Sequence, residues 1–401
     1  MHIVCLYLHY ASPDCPSGGR AYSLLRSLGQ NHRVTVFTGT HYHRLRQSQH
    51  FDWEPPGITV HMLDVPYANQ MSAAQRLTAY ASFPLWAGMQ ALRTSSPDLL
   101  YAISTPLTTP MAAAVAAKIR GIPWVLEIRD LWPDFPIQMG AVSSPVLQRT
   151  LRRVERYLYR DADHVVTVSP DMTDHVRSTD VDASQVTTLP QGTDLSLLDH
   201  PEAPPPAALR DQYDLSSRHI VLYAGSFGRA NDLPTLLAAA NHLTHRSDTT
   251  FVFVGHGFHE SDVWAAAHRL PNIRCISPQP RHRMMPWFQL ASLSLVSFLD
   301  RPVLSTNAPA KLFDSLAAGT PIIVTNPGWM TRLVQTHDCG WAVPPSSPSA
   351  LAEQISTVLD QPDARRAAGQ RGAELAHSHF DRATQAPTLQ SIFSEVVSET
   401  T

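Results

Sequence analysis

Short β-branched apolar runs alternate with longer stretches whose apolar residues recur at helical spacing, from one end of the chain to the other. The runs predict strands at Ile3–Leu8, Arg33–Phe37, Ile58–Leu63, Leu99–Ala102, Trp124–Ile128, His164–Val168 and Val186–Leu189. Between them lie amphipathic helices, for example one with Ala21, Leu24, Leu25 and Leu28 on a single face. After Leu198 comes Asp199-His-Pro-Glu-Ala-Pro-Pro-Pro-Ala, a proline cluster that continues neither helix nor central strand and reads as a linker. The alternation then restarts with strands at Ile220–Ala224, Thr250–Val254, Ile273–Ile276, Leu293–Phe298 and Pro321–Val324. It predicts an α/β protein of two Rossmann-like domains, each a doubly wound parallel sheet that binds ligands at the carboxyl ends of its strands. The predicted boundaries are 1–198, a linker at 199–217, 218–380, and a last helix at 381–401 carrying Leu389, Ile392, Phe393, Val396 and Val397.

The most informative segment runs from Asn307 to Val324. Pro309 stands where a helix would begin, since its ring presets φ and its missing N–H would have no helical partner. Leu312, Phe313, Leu316 and Ala317 give a buried stripe, Gly319 stops the helix, and Ile322 to Val324 read as a buried strand. Lys311 therefore lies in the first turn, where free N–H groups and the helix dipole favour an anion. Asp314 follows one turn later on the same face, suited to accepting hydrogen bonds from sugar hydroxyls. A phosphate donor beside a hydroxyl acceptor suits a nucleotide.

That segment resembles the donor-binding motif of the retaining glycosyltransferases of family 4, whose members share the two-domain fold called GT-B. The likeness covers nearly the whole chain. It takes in Pro16-Ser-Gly18-Gly19-Arg20, Glu127-Ile-Arg129-Asp130-Leu131-Trp132-Pro133 and Ala162-Asp-His-Val-Val-Thr-Val-Ser169. It continues through Leu189-Pro-Gln-Gly192-Thr-Asp194, Tyr223-Ala-Gly225-Ser-Phe-Gly228 and Val254-Gly-His-Gly257. The Arg-Asp-Leu-Trp-Pro block is similar to a bacterial branch containing N-acetyl-fucosamine transferases of surface-polysaccharide assembly. The resemblance implies two sheets facing across a cleft, with the acceptor on the N-terminal side and the donor on the C-terminal side. It also implies retaining transfer from a nucleotide diphosphosugar, UDP-linked, to a glycan or lipid-linked acceptor of O-antigen, capsule or exopolysaccharide synthesis. No cofactor is implied, and no metal, because lysine, arginine and helix amides can neutralise the leaving diphosphate.

Residue by residue, the resemblance makes Lys311 and Arg229 the groups that stabilise the diphosphate and Asp130 the polar residue presented to the transferred sugar or acceptor. Asp314 stands where the family usually has a glutamate bonding the ribose hydroxyls. Thr306, beside Asn307 and Ala308, stands where the family's E-x(7)-E pattern places its first glutamate; a hydroxyl there contributes no charge. Ser226 and Asn231, in the loop after Gly225, replace the arginine and lysine of many members, which leaves Arg229 as that loop's only base. Gly18 and Gly19 let backbone approach a phosphate or sugar, although a plain tight turn would use the same residues. Arg129 and Asp130 form either a structural ion pair or a sugar-facing pair, and Trp132 is either a stacking wall or core.

Composition narrows the alternatives. A net charge of −3, from 31 Lys+Arg and 34 Asp+Glu, gives no basic field for nucleic acid. Cys5, Cys15, Cys275 and Cys339 have neither disulfide-framework nor zinc spacing. Asp180-Val-Asp182 matches a metal-binding D-x-D only superficially and reads as solvated loop, and His41, His43 and His50 read as surface loop residues. The start of the chain reads as a first strand rather than a signal peptide, and no run is long enough to span a bilayer, so the expected compartment is the cytoplasm. The stretch Leu147–Arg160 sets Leu147, Leu151, Val154 and Leu158 on one face with Arg149, Arg152, Arg153, Arg156 and Arg160. It reads either as an ordinary packing helix or as an interfacial helix on anionic lipid, at the inner face of the plasma membrane. Two rivals to a transferase remain at this level. One is a non-catalytic nucleotide-sugar binder, motivated by Thr306 and Ser226. The other is a nucleotide-sugar 2-epimerase, for which Thr306 and Asp314 are a poor proton-moving pair.

Overall fold

The computed structural model describes residues 1–45, 51–65, 71 and 73–400. The chain divides into two compact units: the first holds 1–190, 306–308 and 382–401, the second 191–305 and 309–381.

The first unit begins with β1 (His2–Leu6), α1 (Arg20–Gly29), β2 (Arg33–Gly39), β3 (Ile58–Leu63), α2 (Ala73–Arg93), β4 (Leu99–Ile103) and α3 (Thr108–Arg120). It continues with β5 (Trp124–Ile128), α4 (Asp134–Gln138), α5 (Pro145–Asp161), β6 (His164–Thr167), α6 (Pro170–Arg177) and β7 (Val186–Thr188). Its seven strands lie in the order β3-β2-β1-β4-β5-β6-β7, and every pairing is parallel. β1, β4 and β5 are buried along their whole lengths, as strands covered on both faces must be. Arg20, the first residue of α1, is fully buried and bonds Glu127 on β5 at 3.2 Å. Its guanidinium also donates to the carbonyl of Leu189 and to Gln385, while Tyr101 on β4 donates to the other Glu127 oxygen at 2.6 Å.

The second unit holds α7 (Pro206–Gln212), β8 (His219–Ala224), α8 (Leu233–His242), β9 (Thr249–Val254), α9 (Glu260–Arg269), β10 (Ile273–Ile276) and α10 (Met285–Leu290). Then come β11 (Leu293–Val296), α11 (Ala310–Ala317), β12 (Ile322–Val324), α12 (Trp329–Thr336), β13 (Gly340–Ala342), α13 (Pro348–Leu359) and α14 (Pro362–Leu375). The strand order is β10-β9-β8-β11-β12-β13, again all parallel. The last helix, α15 (Arg382–Thr400), belongs to the first unit, where Leu389, Ile392, Phe393 and Val396 join the core beneath α1 and β4.

The two-sheet α/β architecture is the one that the alternation of patterns predicts. Two local differences have simple causes. The proline cluster is not structureless: α7 starts inside it, with a proline at its first turn, the one helical position where proline costs nothing. β13 escapes prediction because it is a three-residue, half-buried edge strand, Gly-Trp-Ala, with no β-branched residue.

Candidate functional site

In the second unit the polar groups gather where β8 ends. Ala224 closes the strand, and Gly225 turns the chain with φ of 122°, a conformation that favours glycine. Ser226 follows, exposed, and its carbonyl accepts from Tyr223 Oη at 2.8 Å, which fixes the loop. Pro309 caps α11, so Lys311 sits in the first turn as the spacing predicts, but it is not an exposed lysine. Only 8% of it is accessible. Its Nζ lies 3.6 Å from the centre of the Tyr223 ring. A Cβ at residue 225 would stand 3.3 Å from Lys311 Cε, so the missing side chain of Gly225 makes room for the lysine. Among the described residues, no carboxylate faces this ammonium. Burial pushes its pKa well below the lysine range. This buried amine, stacked on one aromatic face, lies beside a glycine turn and a helix N-terminus, a setting that favours an anion.

Asp314 is buried and already engaged. Its Oδ1 accepts from Arg281 Nη2 at 2.6 Å and from Thr193 Oγ1 at 2.8 Å. Arg281 is itself only 8% accessible, and its Nε has no partner. The sequence does not point to Arg281, which lies in the connection between β10 and α10, in none of the recognisable motifs. Thr193 does lie in one, Gly192-Thr-Asp194, and the structure shows what that motif does here: it holds the Asp314 carboxylate. Arg229 is exposed, with its guanidinium carbon 4.1 Å from the centre of the Phe258 ring.

The first unit carries a separate polar set at the carboxyl ends of β1, β2 and β5. Gly18 and Gly19 have φ of 89° and 100°, and a Cβ on Gly18 would fall 2.7 Å from Ala11 Cβ. The loop therefore requires glycine for its own backbone, whatever else it touches. Arg129 donates to Tyr7 Oη at 2.9 Å, and Asp130 accepts from Thr105 Oγ1 at 3.2 Å. Burial raises the Asp130 pKa to about 6, against the opposing pull of Arg129 and the Thr105 hydrogen bond. Trp132 is half-buried, its ring edge-on to Tyr80 at 5.6 Å. Thr306, Asn307 and Ala308 also fall in this unit, where the Thr306 carbonyl accepts from Ser169 Oγ at 2.6 Å.

The histidine expectation needs correcting. His41 is not a surface residue: it is buried at the end of β2, with its Nε2 3.1 Å from His9 Nδ1, and burial lowers its pKa to about 4. The rings of Tyr42 and His9 pack against it, with centroids at 4.1 and 5.0 Å, which a polar-looking loop sequence hides. His43 is exposed, and His50 lies outside the described residues. Asp180 pairs with Arg160 at 2.7 Å, whereas Asp182 caps the turn at residues 183–185. Among the described residues, no cluster of three or more His, Cys, Asp or Glu is arranged to hold a metal ion.

Two family models match the chain. Residues 18–192 match the glycosyl transferase 4-like domain, and residues 208–375 match the glycosyl transferases group 1 domain. The chain is a GT-B glycosyltransferase. Among curated relatives, this glycosyltransferase is 21% identical over 274 residues to the probable glycosyltransferase WbjE of Pseudomonas aeruginosa, spanning 67% of this chain and 68% of that protein. Among solved structures it superposes on sucrose-phosphate synthase from Thermosynechococcus elongatus with a TM-score of 0.75, at 19% identity and 99% coverage of both chains. It also superposes on Anabaena HepE in complex with UDP-glucose, with a TM-score of 0.68, 19% identity, and coverage of 98% of this chain and 100% of that one. At such identities the structural likeness speaks for the fold.

Proposed function

We propose that this glycosyltransferase binds a UDP-linked sugar in its second unit and transfers the sugar, with retention, to a glycan or lipid-linked acceptor of bacterial surface-polysaccharide synthesis. The observation that carries the reading is Lys311, a buried amine with no carboxylate partner among the described residues, next to the Gly225 turn. A diphosphate supplies the missing negative charge. Arg229 adds a second cation from the loop after β8, and Ser226 offers a hydroxyl there. The ribose reading of Asp314 assigns the sugar hydroxyls to Oδ2, because Oδ1 already serves Arg281 and Thr193. Thr306, Asn307 and Ala308 are assigned to substrate binding. Asp130, Arg129 and Trp132 are assigned to the acceptor or transferred sugar, and Gly18 and Gly19 to the backbone that approaches it. Charge stabilisation of the leaving diphosphate comes from these side chains and from helix N-termini, a role that fixed donors can fill.

HepE binds UDP-glucose, and the resemblance of the Arg129–Pro133 block supports an N-acetyl-fucosamine-type donor and an acceptor met at the inner membrane face. Thermal shift and calorimetric titration across a panel of nucleoside diphosphates and their sugars test the donor. UDP should bind most tightly, with the interaction lost in Lys311→Ala. Equal binding of all nucleotides, or unchanged binding in Lys311→Ala, would overturn the assignment. Retention is read from the anomeric configuration of the first product by NMR. Donor binding with no transfer to any acceptor would favour a binding subunit instead, the reading motivated by Thr306 and Ser226.

A further inference from the structure

Exposed large hydrophobic side chains are not scattered over this molecule. Among the described residues, all of them except Phe258 and Trp264 lie on three helices of the first unit, α2, α3 and α5. On α3, Met111, Val115 and Ile119 recur every four residues, so they form one outward ridge; Val115 and Ile119 are 59% and 66% exposed. α2 packs beside this ridge where Gly88 meets Ala112, so closely that a Cβ added at Gly88 would stand 3.3 Å from the Ala112 Cβ. Residues next to that crossing, Leu85 and Met89, are exposed as well. Arg120 on α3 donates to the Leu92 carbonyl, which ties the far ends of the two helices together. α5 touches α3 and exposes Val146 and Leu147 at its start.

Charge on these helices is equally one-sided. α2 and α3 contain no acidic residue, and α5 has only Glu155, which is buried against Tyr159 and His175, and Asp161. Against these two acids stand nine basic residues, a net charge of +7 on three helices of a chain whose net charge is −3. On α5, Leu158 is buried while Leu151 and Val154 are half-buried, so the arginines are left facing solvent. Arg152 is paired with Asp134 and Arg160 with Asp180. Arg153, Arg156 and Arg160 line an open hollow of about 450 Å³ with Tyr157.

We propose that the α2–α3–α5 face lies on an anionic phospholipid bilayer, with the aliphatic ridge of α3 entering the headgroup region and the α5 arginines meeting lipid phosphates. The face combines the two components that interfacial binding needs, aliphatic area and basic charge. A ridge with four-residue spacing sets the α3 axis parallel to the membrane plane. Among the described residues no helix is long and apolar enough to cross a membrane, so the contact is superficial. A second copy of the chain is a poorer occupant, because two arginine-rich α5 surfaces would repel. The inference deepens the reading of an acceptor met at a membrane, yet it stands on this surface alone.

Flotation of the full chain with vesicles tests it. The protein should float with vesicles containing phosphatidylglycerol and stay behind with pure phosphatidylcholine. Arg149→Glu with Arg153→Glu and Arg156→Glu should abolish flotation. Val115→Ser with Ile119→Ser should lower the partition coefficient by about tenfold while keeping the preference for anionic lipid, as loss of apolar area predicts. An environment-sensitive dye on Ile119→Cys should shift to the blue on adding anionic vesicles. All substituted side chains are exposed, so the melting temperature should hold. Failure of the wild-type protein to float, or flotation unaffected by both sets of changes, would overturn the proposal. So would a concentration-dependent dimer lost in the Val115/Ile119 variant, which would give the face to a second copy. Flotation needs no nucleotide and nucleotide titration needs no lipid, so failure of either reading leaves the other standing.

Discussion

Burial of the Lys311 ammonium over the Tyr223 ring holds its pKa well below the lysine range, so the unliganded fold binds fewer protons here than the unfolded chain does. Stability therefore rises with pH between the folded and unfolded pKa values of this group, and the burial penalty is fully present below the folded value. Lys311→Met should consequently raise the melting temperature at neutral pH, an advantage that shrinks as pH approaches the unfolded lysine value of about 10.4. The same variant should lose two to three decades of turnover, ~3–4 kcal/mol of charge stabilisation. A variant both less stable and fully active would contradict both halves of this account. Binding of a diphosphate should draw a proton onto Lys311, so calorimetry in buffers of different ionisation enthalpy should show proton uptake. Asp130 gives the opposite signature. With its pKa raised to about 6 mainly by burial, its folded-state proton stabilises the fold at low pH, and that contribution is lost as pH rises through 6. If the ionised form serves transfer, kcat/KM should climb through the same pH, and Asp130→Asn should lower and flatten the profile.

At the level of elements, the motif Pro16-Ser-Gly-Gly-Arg20 has a structural task that its spacing does not reveal. Arg20 starts α1, pairs with Glu127 on β5 and reaches the chain after β7, so one guanidinium ties a helix to two strands. Burial alone would raise the Glu127 pKa, but the charges of Arg20 and Arg129 and hydrogen bonds from Tyr101 and Arg20 outweigh it and hold it low. Its stabilising share is therefore present above the unfolded glutamate pKa and is lost as pH falls through the lower folded value. Arg20→Met should cost ~3–5 kcal/mol by stranding a buried carboxylate, and adding Glu127→Leu should restore part of it. Denaturant unfolding of the single and double variants measures both. Strands were the most legible elements, because buried parallel strands are continuous apolar runs; Ile58–Leu63, Trp124–Ile128 and Ile273–Ile276 are read from sequence with their observed limits. The neighbours of the candidate nucleotide site were less so. Arg281 is 33 residues from Asp314 and Thr193 is 121, and no local period reports a pairing made by the fold of a whole sheet.

For the molecule as a whole, the course of the chain matters more than any single contact. It leaves the first unit at Pro190 and re-enters it for good at Arg382, so α15 completes a core begun by β1. Deleting residues 382–401 should strip Leu389, Ile392, Phe393 and Val396 from that core, each buried hydrophobic side chain being worth ~1.5–3 kcal/mol. The prediction is loss of protection in the first unit, seen as fast hydrogen exchange in β1 and β4, while the second unit's sheet keeps its slow amides. Equal protection of both sheets would show that α15 is dispensable. Proteins made on the ribosome generally fold their leading domains first. Here the leading half must wait. Its sheet can form early, but the surface that α15 will cover stays uncovered while the entire second unit is being translated, so the nascent first unit is the form most in need of chaperone protection.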